Sequence, residues 1–349
     1  MMTGDKLNTE HRLYQKAIRN HSLFEYIISV DIGATNLLSL VTPMDPFQYT
    51  LSDNGTVAGV QNVPSPTSPL AHRPLIIAMH GGCYDHQYFD ATPNLSASVA
   101  SNAFGVPFVS IDRPSYGGTS SILPIPNGTN FFERSAQVLH QQILPELWKR
   151  IGEPSNCNCI VLLCHSLGVM PGIITAALHA KDEKSLYPLG GLIASGMGDK
   201  QSPAMKDSAP SFNFVDEDHA LFPLEAKDAI MFKPGTFDLE VLKHSERLNA
   251  AYPVSEVGQF ATAWLPVWKE KWAAHVRAPV MFALVEDDPF FVATQQEVDT
   301  AVKAFTSSVR VDGSLLRGAP HCVELSHWSQ GWYARCFGFA MECAASFDI

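Results

Sequence analysis

Apolar residues in this chain gather into short, largely apolar runs, separated by stretches with helical spacing. Residues 75–79, 104–111, 189–195 and 279–284 are such runs, as is Ile160-Val161-Leu162-Leu163. Runs of this length bounded by Gly, Pro or polar clusters predict strands buried on both faces. A last strand is expected over 307–311. Ala136, Leu139, Ile143, Leu147 and Ile151 recur at helical spacing across 131–151, with Pro145 expected to kink or break that helix. Residues 173–180, 292–305 and 328–345 predict further helices, and 10–19 an amphipathic one. Residues 47–63 alternate around Asp53-Asn54-Gly55, a hairpin signal. A Pro/Ser-rich connector follows over 64–74. Strands alternating with helices imply an α/β fold, a mostly parallel doubly wound sheet with helices on both faces.

From 199 to 276 the pattern changes. Clear buried strands are missing, whereas prolines, charges and aromatic residues are frequent. The expected organisation is therefore a core made of 1–198 and 277–349, with 199–276 inserted as a helical cap. Within it Phe260, Trp264, Trp268 and Trp272 recur every four residues, although Pro266 interrupts them. This stripe reads either as packing between cap and sheet or, through Trp264 and Trp268, as a substrate-lining surface.

The chemistry concentrates after the strands. The third run continues as Cys164-His165-Ser166-Leu167-Gly168 and then into a helix. A serine on a sharp turn between a buried strand and a helix has its hydroxyl pushed out of the backbone path. It also lies where free N–H groups of the first helical turn can hold an oxyanion. Ser166 is thus a candidate nucleophile, which needs an adjacent base and a group to orient that base. The run 279–284 leads into Glu286-Asp287-Asp288-Pro289, and the end of the sheet region leads into Gly318-Ala319-Pro320-His321. The order is nucleophile, acid, histidine. A bland reading stands beside each of these: a helix cap for Ser166, a loop histidine for His321 with His327 as a competitor, packing or support behind the site for His165, and a loop cap or brace for Asp112.

Taken together, these segments resemble the α/β-hydrolase family from about residue 75 to the C-terminus. The likeness rests on the elbow at 164–168, on His80-Gly81-Gly82 after the first core strand, and on the Asp112-to-Gly117 loop. The acid turn and the late histidine complete it, in the family's order. The resemblance implies Ser166 as nucleophile, His321 as general base and acid, and the amides of Gly82 and Leu167 as an oxyanion hole. The family's acid register falls on Asp288, with Val285 where glycine is usual; Asp287 and Glu286 are the alternatives. Cys164 replaces the first elbow glycine and is small enough to fit; as a second nucleophile it is discounted because it is buried. Cys83 and Tyr84, next to the oxyanion glycines, line the pocket or serve the structure. The activity implied is cofactor-independent hydrolysis of an ester, thioester or lactone, on a fairly large apolar substrate if the aromatic cap faces it. Acyl transfer or cyclisation with the same groups, and a non-catalytic ligand-binding protein on the same fold, are the rivals.

Composition narrows the partners. The 349 residues carry 46% hydrophobic and 17% charged side chains, enough for a large core, and a formal net charge of −11. That charge argues against nucleic acid or an anionic membrane surface as partner but does not identify a substrate; a small molecule is the partner expected from the resemblance. No apolar run reaches the roughly 18 residues of a membrane span. The first 20 residues have no apolar core like a signal peptide's, so a cytoplasmic location is expected. Seven cysteines are scattered; Cys157 and Cys159 are too close for an ordinary disulfide, and no metal motif is present. The Asn-x-Ser/Thr sequons at Asn54, Asn94 and Asn127 then read as chance.

Overall fold

The computed structural model describes residues 43–65, 71–206 and 213–347. The helix expected over 10–19 lies outside them.

An eight-stranded sheet organises the chain. Its strands are β1 (Asp45–Thr50), β2 (Thr56–Asn62), β3 (Pro74–Met79), β4 (Phe108–Ile111), β5 (Cys159–His165), β6 (Leu189–Ser195), β10 (Val280–Asp287) and β11 (Val311–Pro320). The spatial order is β1-β2-β4-β3-β5-β6-β10-β11. From β4 to β11 all neighbours run parallel, whereas β1 and β2 add an antiparallel hairpin at one edge. The hairpin turns where the sequence places it: Asn54 takes a left-handed φ of 66°, and Gly55 N–H donates to Asp53 Oδ1 at 2.8 Å.

Alternation along the central strands sends side chains to two cores. Leu75, Ile77 and Met79 of β3 and Ile160, Leu162 and Cys164 of β5 face one. Ile76, Ala78, Val161 and Leu163 face the other. Both faces are covered, so these strands read as continuous apolar runs rather than as alternating ones. Helices α1 (Ser98–Phe104), α2 (Phe131–Val138), α3 (Val169–His179), α6 (Gln295–Val302) and α7 (Ser329–Ser346) supply the covering layers. Asn130 caps α2 by accepting from Glu133 N–H at 3.0 Å.

Several boundaries differ from expectation. The stretch 104–111 is not one strand: Phe104 ends α1, Gly105 at φ 66° closes it, and β4 starts at Phe108. Pro145 does not break its helix. The helical course of α2 continues through a wide turn at Leu139–Ile143, a turn at Leu144–Leu147 and a second wide turn at Trp148–Gly152. Proline sits at the start of the middle turn, where its missing N–H costs little. The last strand is β11, not 307–311. Its sequence is Val-Asp-Gly-Ser-Leu-Leu-Arg-Gly-Ala-Pro and it is partly exposed as the sheet's edge, so it never forms an apolar run.

Between β6 and β10 the chain holds short helices, including α4 (Leu224–Met231) and α5 (Val254–Gln259). It also holds a small antiparallel sheet of β7 (Asn213–Phe214), β8 (His219–Leu221) and β9 (Tyr252–Pro253). Strands of two or three residues are too short to show alternation, which is why the sequence pattern there read as helical. Among the described residues no helix is long and apolar enough to cross a membrane.

Candidate active site

β5 delivers Ser166. The strand is buried throughout and ends at His165; a tight turn over Ser166–Gly168 then leads into α3. Ser166 takes φ 51°, a left-handed backbone unusual for a residue with a Cβ. The turn requires close approach. A Cβ on Gly168 would stand 2.7 Å from the carbonyl oxygens of both Met79 and His80, and one on Gly172 would stand 2.5 Å from Cys164 Sγ. The bare Gly172 thus provides the room that lets cysteine occupy the elbow's first small position. Burial pushes the Cys164 thiol up, which disfavours its thiolate.

β10 and β11 are parallel neighbours, and each ends just before a polar residue beside Ser166. His321 Nε2 lies 3.0 Å from Ser166 Oγ, and His321 Nδ1 lies 2.8 Å from Asp288 Oδ2. The His321 and Asp288 side chains are 2% and 1% exposed. Asp288 Oδ1 accepts from the backbone N–H of Phe290 at 2.8 Å and of Phe291 at 3.2 Å. The neighbouring acids turn elsewhere. Asp287 pairs with Lys233 at 2.6 Å, and Glu286 accepts from Arg317 Nη1 at 2.5 Å and from Gly318 N–H at 2.9 Å. The structure therefore brings Ser166, Asp288 and His321 together and leaves Glu286 and Asp287 at the rim. His327 is held through its backbone N–H to Thr236 O at 2.9 Å.

His80-Gly81-Gly82 crosses close to the elbow. A Cβ on Gly81 would lie 2.9 Å from Ser166 Cβ, and one on Gly82 2.7 Å from Leu167 Cδ1. Leu167 opens a helical turn, so its N–H has no partner within the helix. Cys83 follows at φ 63°, and its thiol is pushed up to about 12 by burial. Tyr84 is buried, with its hydroxyl 3.5 Å from Cys322 Sγ. Lys227 of α4 places its ammonium 3.9 Å from the Tyr84 ring centre; burial lowers its pKa to about 8. Cys83 and Tyr84 are packed residues beside the reaction centre.

Trp264 and Trp268 are placed differently. They stack on each other at 5.9 Å, and Trp264 also meets Phe132, while Trp268 meets Phe305 and donates from Nε1 to Asp199 at 2.8 Å. Both are nearly fully buried in the core beneath one face of the sheet. Their four-residue spacing forms a packing stripe, with Trp264 against Phe132 of α2 and Trp268 against Phe305.

Behind His321 a second polar layer is buried. The ring of His165 lies 5.0 Å from that of His321 and stacks on Tyr88, and its Nδ1 is 3.1 Å from Ser195 Oγ. Glu324 accepts from Tyr88 at 2.7 Å and Trp332 at 2.8 Å. Burial lowers the His165 pKa and raises that of Glu324, so both lean toward the neutral form. His165 fits both expectations, packing and support behind the site, whereas Glu324 has no sequence signal, because an acid three residues past a histidine carries no distinctive pattern.

Asp85, His86 and Asp112 bring their ligating atoms within 4.8 Å of one another. Both oxygens of Asp112 are already engaged, with His86 N–H and Nδ1 on one and Gly118 N–H on the other. These contacts match the loop brace expected of Asp112.

Residues 76–334 match the model of a protein family described as the alpha/beta hydrolase family. A search of curated proteins gave no match. Among solved structures, a thermophilic esterase from Thermogutta terrifontis is similar, with 16% identity and a TM-score of 0.55 over 86% of this chain and 99% of that one. A soluble variant of the monoglyceride lipase from Saccharomyces cerevisiae gives 13%, 0.55, 87% and 96%. The thioesterase domain from the curacin biosynthetic pathway gives 11%, 0.54, 86% and 100%. At such identities these structures speak to the fold, whereas the family model covers well over half of the sequence. The chain belongs to the alpha/beta hydrolase family.

Proposed function

We propose that this hydrolase cleaves a carboxylic ester, thioester or lactone through an acyl-enzyme on Ser166. His321 takes the hydroxyl proton as Ser166 attacks the carbonyl carbon, then gives it to the departing alcohol or thiol. A water deprotonated by the same imidazole releases the acid and restores Ser166. Asp288 selects the tautomer with the proton on Nδ1 and stabilises the imidazolium that forms. The N–H groups of Gly82 and Leu167 hold the oxyanion of each tetrahedral intermediate.

The observation that carries this reading is the two-sided contact of His321, 3.0 Å to a hydroxyl on a left-handed serine and 2.8 Å to a carboxylate held by two amides. No cofactor is needed for the sequence of steps. The insertion 199–276 is read as a lid, although its tryptophans lie in the core. Apolar character near the reacting carbonyl comes from Leu167 and from Phe290, whose ring meets His321 edge-on at 4.6 Å. An apolar acyl group is accordingly the proposed substrate feature. A panel of aryl esters, thioesters and lactones, with products identified, tests the proposal. Acid plus alcohol or thiol, lost in Ser166→Ala, supports it; turnover unchanged in that variant overturns it.

A further inference from the structure

The peptide that joins Gly81 to Gly82 is held by its carbonyl oxygen. Arg113 Nη2 donates to Gly81 O at 3.2 Å, and His80 Nδ1 lies 2.7 Å from the same atom. The backbone N–H of Arg113 donates to His80 Nε2 at 3.2 Å, so Nε2 is the acceptor and the ring proton sits on Nδ1, aimed at Gly81 O. Two donors therefore converge on one carbonyl. In a trans peptide the carbonyl oxygen of one residue and the N–H of the next point in opposite directions across a rigid plane. Fixing Gly81 O thus fixes where Gly82 N–H points. The same donors polarise the amide and strengthen that N–H as a donor. Two successive glycines leave the backbone freer than any other pair, so without an external hold this plane would rotate.

The hold reaches into the insertion. Arg113 is fully buried and its guanidinium forks onto both oxygens of Glu256, through Nη1 to Oε1 and through Nη2 to Oε2, the latter at 3.1 Å. The Tyr116 hydroxyl donates to Glu256 Oε2 as well, and the Tyr116 ring lies under the guanidinium at 4.4 Å. Glu256 stands on α5, more than 140 residues along the chain from Arg113. A second tie runs in parallel, from Ala250 N–H of the insertion to Cys83 O at 3.1 Å. We propose that Glu256, a residue of the insertion, acts as a positioning residue that sets the oxyanion-binding amide of Gly82 through Arg113 and the Gly81 carbonyl. This rests on the reading of Gly82 as an oxyanion donor. Catalysis then depends on the insertion being seated, because α5 carries one end of the clamp.

The test is kinetic, on the full chain with a p-nitrophenyl ester. Glu256→Gln removes the charge and one arm of the fork. Kcat falls by ~10–100-fold with KM within about threefold, since a misdirected donor costs the transition state rather than the bound ester. An arylboronic acid, whose tetrahedral adduct presents an oxyanion, weakens in parallel with kcat/KM. Because Glu256→Gln leaves Arg113 charged and buried, it can lower the folded fraction. The double variant Arg113→Met, Glu256→Met carries no unpaired charge, fills a similar volume, and shows the same fall in kcat per folded enzyme. A purely structural pair gives the opposite pattern: kcat per folded enzyme near wild type in the double variant, or a raised KM with kcat intact. Either result overturns the proposal. Failure of the proposed serine-hydrolase function looks different, since wild type itself would then show no turnover dependent on Ser166.

Discussion

Asp288 reaches His321 at 2.8 Å with one oxygen because its other oxygen is pinned by the amides of Phe290 and Phe291. The turn after β10 thus aims one carboxylate among three. Asp288→Asn leaves this shape but reverses the imidazole's preferred tautomer, so kcat is expected to fall by ~10³–10⁴-fold. Asp287→Asn weakens the ion pair with Lys233, and Glu286→Gln weakens the contacts with Arg317 and the Gly318 N–H; each should change kcat less than threefold. Steady-state rates of the three variants on one ester decide the assignment.

His321→Ala and His327→Ala separate the two late histidines. The first removes the only imidazole within hydrogen-bond distance of Ser166 Oγ among the described contacts, and turnover is expected to be lost. The second removes a side chain whose backbone, not its ring, carries the bond to Thr236, and most activity should remain.

Trp264→Ala tests where the aromatic stripe belongs. A buried indole stacked on Trp268 and Phe132 leaves a large cavity when truncated, at a cost of ~3–5 kcal/mol. Denaturant unfolding should show that loss while KM of the folded variant stays within about threefold. A large KM change with little loss of stability would return the stripe to the pocket.

Lys227 makes stability depend on pH. Its folded pKa, about 8, lies below the ordinary 10.5, so the folded protein binds this proton less tightly than the unfolded chain. The resulting penalty is full below about pH 8 and fades as pH rises toward 10.5, amounting to about 3 kcal/mol at most. Lys227→Met removes this penalty together with the Lys227 contacts to Leu248 O and the Tyr84 ring, so the stability of wild type relative to the variant should rise from pH 7 to pH 10. Unfolding curves at both values measure it.

The central sheet and the chain order of Ser166, Asp288 and His321 were legible because burial on two faces and sharp strand-to-helix turns leave residue-level signatures: unbroken runs such as Ile160 to Leu163, and small residues around Ser166. The edge strand β11 was misplaced, since only one flank of it is covered and its Asp312, Ser314 and Arg317 read as loop. Glu256 and Lys227 escaped notice for a different reason. Their importance lies in which groups they meet across long chain separations, and neither has a local pattern. Arg113 stood inside a loop already recognised, but nothing in Asp112-Arg113-Pro114 reveals a guanidinium turned toward Gly81.

A fluorophosphonate probe reports on Ser166 most directly, because it reacts only with a serine whose hydroxyl is deprotonated in place and whose developing oxyanion is held. Wild-type protein should be labelled on Ser166, as located by mass spectrometry of the modified peptide, and Ser166→Ala should remain unlabelled. Folded wild type that resists the probe, or label found on another residue, would contradict the account.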